Sequence, residues 1–297
     1  MNAKRKLSNA FKTTIIICCL IGILSNILTT SSIPTILSFY TLQSNIVVLT
    51  FYFVCKVVAL FKDDFEECLP YAVAIEMVHN FSLIHDDLPA LDNDDLRRGK
   101  KTNHIVYGED IAILAGDALL NYAFETMLST SLEKDNPKKY LRAIHEIGKS
   151  VGIYGMIGGQ VVDVKNVGNP VSKEVLDFIY ELKTSALIES SMMIGAVLAD
   201  ASDEDVQKIE RIAKGVGIAF QIQDDILDVT STAEVLGKPI LSDEKNDKTT
   251  YVTLIGLEKA KEQVEQISME AIELLHQFKP EDSFLEELLT SLIHREK

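Results

Sequence analysis

Apolar positions recur every three or four residues along most of this chain, and nowhere do they alternate convincingly. Residues 65–84 carry Leu69, Ala72, Val73, Ile75, Met77, Val78, Phe81 and Ile84, the spacing of a buried helix. Residues 108–128 repeat the pattern with Ile111, Leu114, Ala115, Ala118, Leu119, Ala123 and Met127. The same periodicity predicts helices over 138–151, 171–198, 203–230, 250–278 and 283–293. Asp135-Asn136-Pro137 marks the start of the first of these, and Ser172 followed by Glu174 the start of the second. Residues 231–247 are polar and read as a loop. Gly152, Gly155, Gly158 and Gly159 follow no strand, so they are not a dinucleotide fingerprint; close helix packing or a kink is the expected use. With no strand, repeat or low-complexity linker, the pattern predicts one all-α domain.

The pattern degrades toward the N-terminus. Lys4, Arg5 and Lys6 precede an apolar run over 15–24, which has the layout of a signal peptide but is short for a membrane span. Further apolar sequence over 33–42 and 46–60 lacks a clean 3.6-residue period. Residues 1–52 are thus set apart from 53–297 as an atypical segment, signal-like or read out of frame.

Composition is ordinary for a globular protein, with 47% apolar and 25% charged residues. The 297 residues suffice for one large domain. A formal net charge of −15 argues against nucleic acid as a partner, because phosphate backbones are bound by basic surface. Cys18, Cys19, Cys55 and Cys68 have neither metal-ligand spacing nor a disulfide framework, which makes a reducing cytoplasm the default location. An N-terminal membrane anchor is the alternative if residues 1–52 are genuine.

Two acidic clusters interrupt the apolar pattern. The first holds Asp86, Asp87, Asp92, Asp94 and Asp95, followed by Arg97, Arg98 and Gly99. So many carboxylates repel one another and need positive charge among them, from the arginines or from a hard divalent cation held by oxygen ligands. A calcium EF-hand starting at Asp92 would require glycine at position 97, where this chain has arginine. Mg²⁺ takes one or two carboxylates plus substrate phosphates, and arginine suits bidentate phosphate contacts. The second cluster is Asp224, Asp225 and Asp228 within Val216, Ile218, Ala219, Phe220, Ile222, Ile226 and Leu227. Aspartates on an apolar helix are costly unless paired or metal-bound. The plain alternative for either cluster is a solvated acidic surface. Pro89 disfavours regular helix after the first cluster begins, and a break there would let Asp86 and Asp92 meet.

Asp86-Asp87, four residues, Asp92, four residues, then Arg97-Arg98-Gly99 resembles the first aspartate-rich motif of the trans-polyprenyl diphosphate synthases, and residues 224–228 resemble the second. Gly158-Gly159-Gln160 with Asp163, Lys183-Thr184, Phe220-Gln221, Gly237-Lys238 and Lys248 extend the likeness in the same order. Within the family the resemblance points to bacterial farnesyl diphosphate synthases. It implies a helical bundle around a central cavity and a homodimer. It also implies Mg²⁺-dependent condensation of isopentenyl diphosphate with an allylic diphosphate. Carried over by position, Asp86, Asp92 and Asp224 would hold Mg²⁺. Arg97, Lys183 and Lys238 would neutralise the departing diphosphate, with help from Lys248. Thr184 and Gln221 would lie near the allylic carbocation, and His79 and Arg98 would bind isopentenyl diphosphate. In this family, bulk one turn before the first aspartates limits product length. Phe81 and Ser82 occupy those positions, and the aromatic resembles enzymes making farnesyl diphosphate (C15).

One departure stands out. The family's basic segment gripping isopentenyl diphosphate should fall near residues 42–50, where this chain has no basic residue. The alternatives are therefore a geranylgeranyl diphosphate synthase, a catalytically impaired homologue or a regulatory subunit. A terpene cyclase, which ionises a diphosphate without condensing it, fits the Arg-Arg-Gly motif less well.

Overall fold

The structure is a computed structural model that describes residues 49–97, 99–135, 137–231, 249–278 and 284–293. Helix α1 (Leu49–Phe61) places Phe53, Val54, Val57 and Val58 in the core, so the apolar run that looked irregular in sequence is a buried helix from Leu49 onward. Thr50 Oγ1 is hydrogen-bonded to Glu76 on the next helix. Residues 1–48, with the signal-like run, lie outside the described residues.

A short 3₁₀ turn (Glu66–Cys68) leads into α2 (Leu69–Asp86), which starts with Pro70 where no intrahelical N–H is lost. After a two-residue hairpin (Leu96–Arg97 paired with Lys100–Lys101), α3 (Asn103–Tyr107) turns into α4 (Glu109–Leu132). That hairpin is the strand content among the described residues, and its pairs are too short to register as alternation in the sequence. Helix α4 packs along α2. Helix α5 (Lys138–Val151) buries Tyr140, Ala143, Ile144, Ile147 and Val151 on one stripe, matching its predicted limits.

Helix α6 (Met156–Lys165) follows the glycine cluster. The helix predicted over 171–198 is three pieces: α7 (Lys173–Tyr180), a π-helical turn (Glu181–Ser185) and α8 (Ala186–Leu198). Helix α9 (Asp203–Thr230) is the longest described; Ser202 accepts the Asp205 N–H at its start, and three acidic residues sit in its first turn against the helix dipole. The helix predicted over 250–278 is broken at Gly256, whose φ of 86° favours glycine, into α10 (Tyr251–Ile255) and α11 (Leu257–Leu275). Helix α12 (Phe284–Ile293) closes the described chain.

The all-α expectation holds. The larger core cluster joins α1, α2, α4, α5, α8, the first half of α9, the end of α11 and α12. A smaller one joins α7, the second half of α9, α10 and α11. The π turn packs against α6, α7, α8 and α9, close to the seam between these two cores.

Candidate functional site

Helix α2 stops at Asp86 because the chain cannot continue through Pro89. The following turn folds back sharply. Leu91 N–H donates to Leu88 O (2.9 Å), and Asn93 N–H donates to the same carbonyl (3.1 Å) with Asn93 at φ 53°. Asn tolerates that left-handed geometry. The Asp92 N–H then reaches the Asp86 carbonyl at 2.9 Å. The break expected at Leu88-Pro89 therefore exists, and it brings Asp92 beside Asp86.

Around Asp86, burial and charges of both signs compete. Burial pushes its carboxyl up to about 6; Asp92 and Asp87 push the same way, while Lys183 and Arg97 oppose them. Gln160 Nε2 donates to Asp86 Oδ1 at 2.6 Å. Asp87 faces inward, and Arg97 grips its Oδ1 with Nε and Nη2, both at 2.6 Å. Burial still raises the Asp87 carboxyl above its usual range despite that grip.

Opposite stands Lys183, whose ammonium donates to Asp163 Oδ2 at 2.7 Å. Burial works against its charge, but Asp163, Asp86 and Asp92 outweigh it and hold the pKa above the usual lysine range. Lys183 and Thr184 lie on the π turn, a rare one-residue widening that is frequent at functional sites. Two glycines hold this turn in place. A Cβ on Gly159 would lie 2.5 Å from Lys183 N and 2.9 Å from the Leu182 carbonyl carbon. A Cβ on Gly217 would overlap the Ser185 side chain. Ser185 Oγ in turn donates to Tyr180 O at 3.0 Å, closing the widened turn.

On α9 the stripe that meets the π turn at Gly217 continues through Gln221 to Asp224, both half-buried. Asp225 lies elsewhere. It accepts the Tyr180 hydroxyl on both oxygens (2.7 and 2.6 Å) and the Tyr251 N–H on Oδ2 (2.7 Å). It is a tie between α7, α9 and α10. Asp228 is buried. His79 is half-buried on α2, with its carbonyl accepting Ser82 Oγ at 2.9 Å. Phe81 is buried, its ring in edge contact with His85. Arg98, Lys238 and Lys248 lie outside the described residues.

Gln160 and Asp163 carry the family likeness, but the sequence assigns them no role. Their spacing of three on α6 puts them on one face, and they hold Asp86 and Lys183.

The donor set fits a hard cation. Asp86, Asp92 and Asp224 offer oxygens alone, and Gln160 Oε1 and Asp87 Oδ2 are buried without a hydrogen-bond partner. Among the described residues no three acidic, histidine or cysteine side chains converge on one point. Mg²⁺ takes one or two carboxylates and is completed by phosphate oxygens and water.

The family model of the polyprenyl synthetases matches residues 44–290. A curated relative, geranylgeranyl pyrophosphate synthase 7, chloroplastic, from Arabidopsis thaliana, is 49% identical over 213 residues, covering 71% of this chain and 61% of its own length. The chain thus spans about three-fifths of the curated plant relatives it matches. Among solved structures, an apo FPP/GFPP synthase from Zymomonas mobilis superposes with a TM-score of 0.79 at 29% identity, covering 98% of this chain and 99% of that one. A geranyltransferase from Helicobacter pylori, complexed with magnesium and isoprenyl diphosphate, gives a TM-score of 0.69 at 32% identity, covering 84% and 88%. The helical bundle is the isoprenoid synthase fold that the sequence implied. Two expectations change. The plant relatives are named chloroplastic, which overturns the cytoplasmic location inferred from the cysteines. Their names are geranylgeranyl synthases, which favours the C20 alternative over the C15 product expected from Phe81.

Proposed function

Because this chain belongs to the polyprenyl synthetase family, we propose that it is a Mg²⁺-dependent prenyltransferase that adds isopentenyl diphosphate to an allylic diphosphate, with geranylgeranyl diphosphate as product and the plastid as its location. The observation that carries the reading is the return of Asp92 onto Asp86 opposite the Lys183–Asp163 pair. In this reading the carboxylates and the half-buried Lys183 ammonium would surround the diphosphate.

In this reading Asp86, Asp92 and Asp224 hold the metal, which supplies positive charge to the leaving diphosphate when bound. Lys183 adds a fixed charge where negative charge develops, and Arg97 does so through its remaining donors while it braces Asp87. Thr184 and Gln221 turn a hydroxyl and an amide dipole toward the allylic cation. Condensation then follows from attack by the isopentenyl double bond, with proton loss to the released diphosphate. His79 and Arg98 bind isopentenyl diphosphate, and Lys238 and Lys248 assist at the allylic diphosphate. Because residues 42–50 lack basic side chains, the KM for isopentenyl diphosphate is expected to be high.

A homodimer completes the proposal. Helix α4 is long and apolar enough to cross a membrane by length and composition, yet one face packs on α2. Its other face exposes Leu114, Tyr122 and Leu128, an apolar stripe that a second copy would cover.

One observation favours a second reading. Phe81 is buried one turn below Asp86, and an aromatic there would stop growth at C15. Incorporation of radiolabelled isopentenyl diphosphate with Mg²⁺, followed by chromatography of the dephosphorylated alcohols, separates the cases. A C20 alcohol supports the proposal and a C15 alcohol the second reading. No incorporation, even with a basic segment restored at 42–50, removes the synthase assignment.

A further inference from the structure

His85 precedes the first metal-binding aspartate in the proposed site, yet its side chain turns away from that site toward α4. Its Nε2 lies 3.1 Å from the Ile113 carbonyl and 3.9 Å from an Asp117 carboxylate oxygen. The ring fills a notch that exists because position 116 is glycine: a Cβ there would overlap Nε2 and Cδ2 of the imidazole. On its remaining side the ring meets Phe81, four residues earlier on the same face of α2, edge to face with centroids 5.1 Å apart. The imidazole is therefore held on three sides by atoms with little freedom: a helix carbonyl, the helix backbone at Gly116 and a buried aromatic ring.

This arrangement has a consequence for Phe81. A phenylalanine ring on a helix can swing about its first side-chain torsion unless something occupies the neighbouring well. The His85 ring occupies the space, one turn toward the C-terminal end of α2, into which the Phe81 ring would otherwise swing. We propose that His85, seated in the Gly116 notch, is a positioning residue that fixes the Phe81 ring across the path of the growing prenyl chain and so sets product length. This rests on the synthase reading and on Phe81 as the chain-length residue. It adds that Phe81 acts only as well as His85 holds it.

The test compares the wild type with F81A, H85A, H85F and G116A by two measurements. One is the ratio of longer to shorter alcohols from the incorporation assay. The other is the ratio of affinities for geranylgeranyl and farnesyl diphosphate by isothermal titration calorimetry, which needs no turnover. H85A is expected to raise both ratios by about threefold to tenfold, the factor to which one aromatic edge contact corresponds. H85F restores the ring edge and is expected to return both ratios to wild type. G116A expels the imidazole from its notch and is expected to behave like H85A. A thermal melt of each variant confirms folding, and H85A carries the conclusion if G116A does not fold. If F81A raises the ratios while H85A leaves them at wild type, the role of His85 is overturned and that of Phe81 stands. If F81A changes neither ratio, Phe81 is not the chain-length residue and the inference falls with it, while incorporation by the wild type still supports the synthase assignment.

Discussion

Gly159→Ala is the sharpest probe of how the site is held together. The new Cβ would lie 2.5 Å from Lys183 N and 2.9 Å from both the Leu182 carbonyl carbon and the Leu182 Cβ. Two of these are backbone and the third is bonded directly to it, so no flexible side chain can yield. Overpacking of this kind costs about 1–3 kcal/mol. At about 2–4 °C per kcal/mol for a chain approaching this size, the melting temperature should fall by about 2–12 °C. Activity should fall further than stability. The π turn would move away from α6, taking the Lys183 ammonium from Asp163, and a displacement of about 1 Å at a positioned group can cost about a hundredfold in rate. Gly148→Ala is the internal control: its Cβ would meet Phe124 at 3.7 Å, an ordinary contact, and alanine favours a helix, so it should be neutral or slightly stabilising. The assay is kcat and KM for each variant beside differential scanning calorimetry. A G159A protein that melts and turns over like wild type would refute the claim that the π turn is wedged against α6.

Other outcomes follow from single groups in the fold. Glu189 is half-buried, with its Oε1 buried and unpartnered, and burial raises its carboxyl from 4.5 to about 7; Lys214 and Lys149 oppose that, and Glu181 and Glu210 add to it. The folded state therefore holds the proton longer than the unfolded chain, so this group erodes stability as pH rises from about 4.5 to about 7. Glu189→Gln should flatten that loss and raise stability at pH 8 by at most about 3 kcal/mol, measured by urea unfolding at pH 5 and pH 8. Asp225→Ala should lower stability by about 3 kcal/mol by orphaning the Tyr180 hydroxyl and Tyr251 N–H. Asp224→Asn should leave the melt nearly unchanged and cut kcat by about a hundredfold; equal behaviour of the two variants would contradict their separate placement. Arg97→Ala strands the buried Asp87 carboxylate and should cost about 3–5 kcal/mol in chemical unfolding.

What the sequence disclosed depended on how local each signal was. Helices such as Lys138–Val151 and Asp203–Thr230 were legible because one stripe of apolar residues and a start signal suffice to specify them. The meeting of Asp86 and Asp92 was legible because proline forbids the alternative. The π turn was not: one extra residue shifts the apolar stripe without breaking it, so 171–198 reads as a continuous helix. The break at Gly256 carried a signal, a glycine inside a helical pattern, but only its positive φ separates a break from a tolerated glycine. The role of Asp225 was hidden for a different reason. Its partners lie 45 and 26 residues away, and nothing near Tyr180 or Tyr251 in the sequence announces a carboxylate to bind. The cysteines pointed to a reducing compartment and could not distinguish the cytosol from a plastid.

The widened turn at Glu181–Ser185 also constrains how this gene can change length. Deleting one residue there would let regular helical bonding run straight through, which is locally favourable. It would also rotate everything beyond it by about 100° relative to α7. Ile188, Met192 and Ile194 would leave the core, and Lys183 would leave its place between Gly159 and Asp163. An insertion would do the same in the opposite sense. Loops elsewhere in the chain can gain or lose residues cheaply, whereas this stretch can vary in composition but not in count.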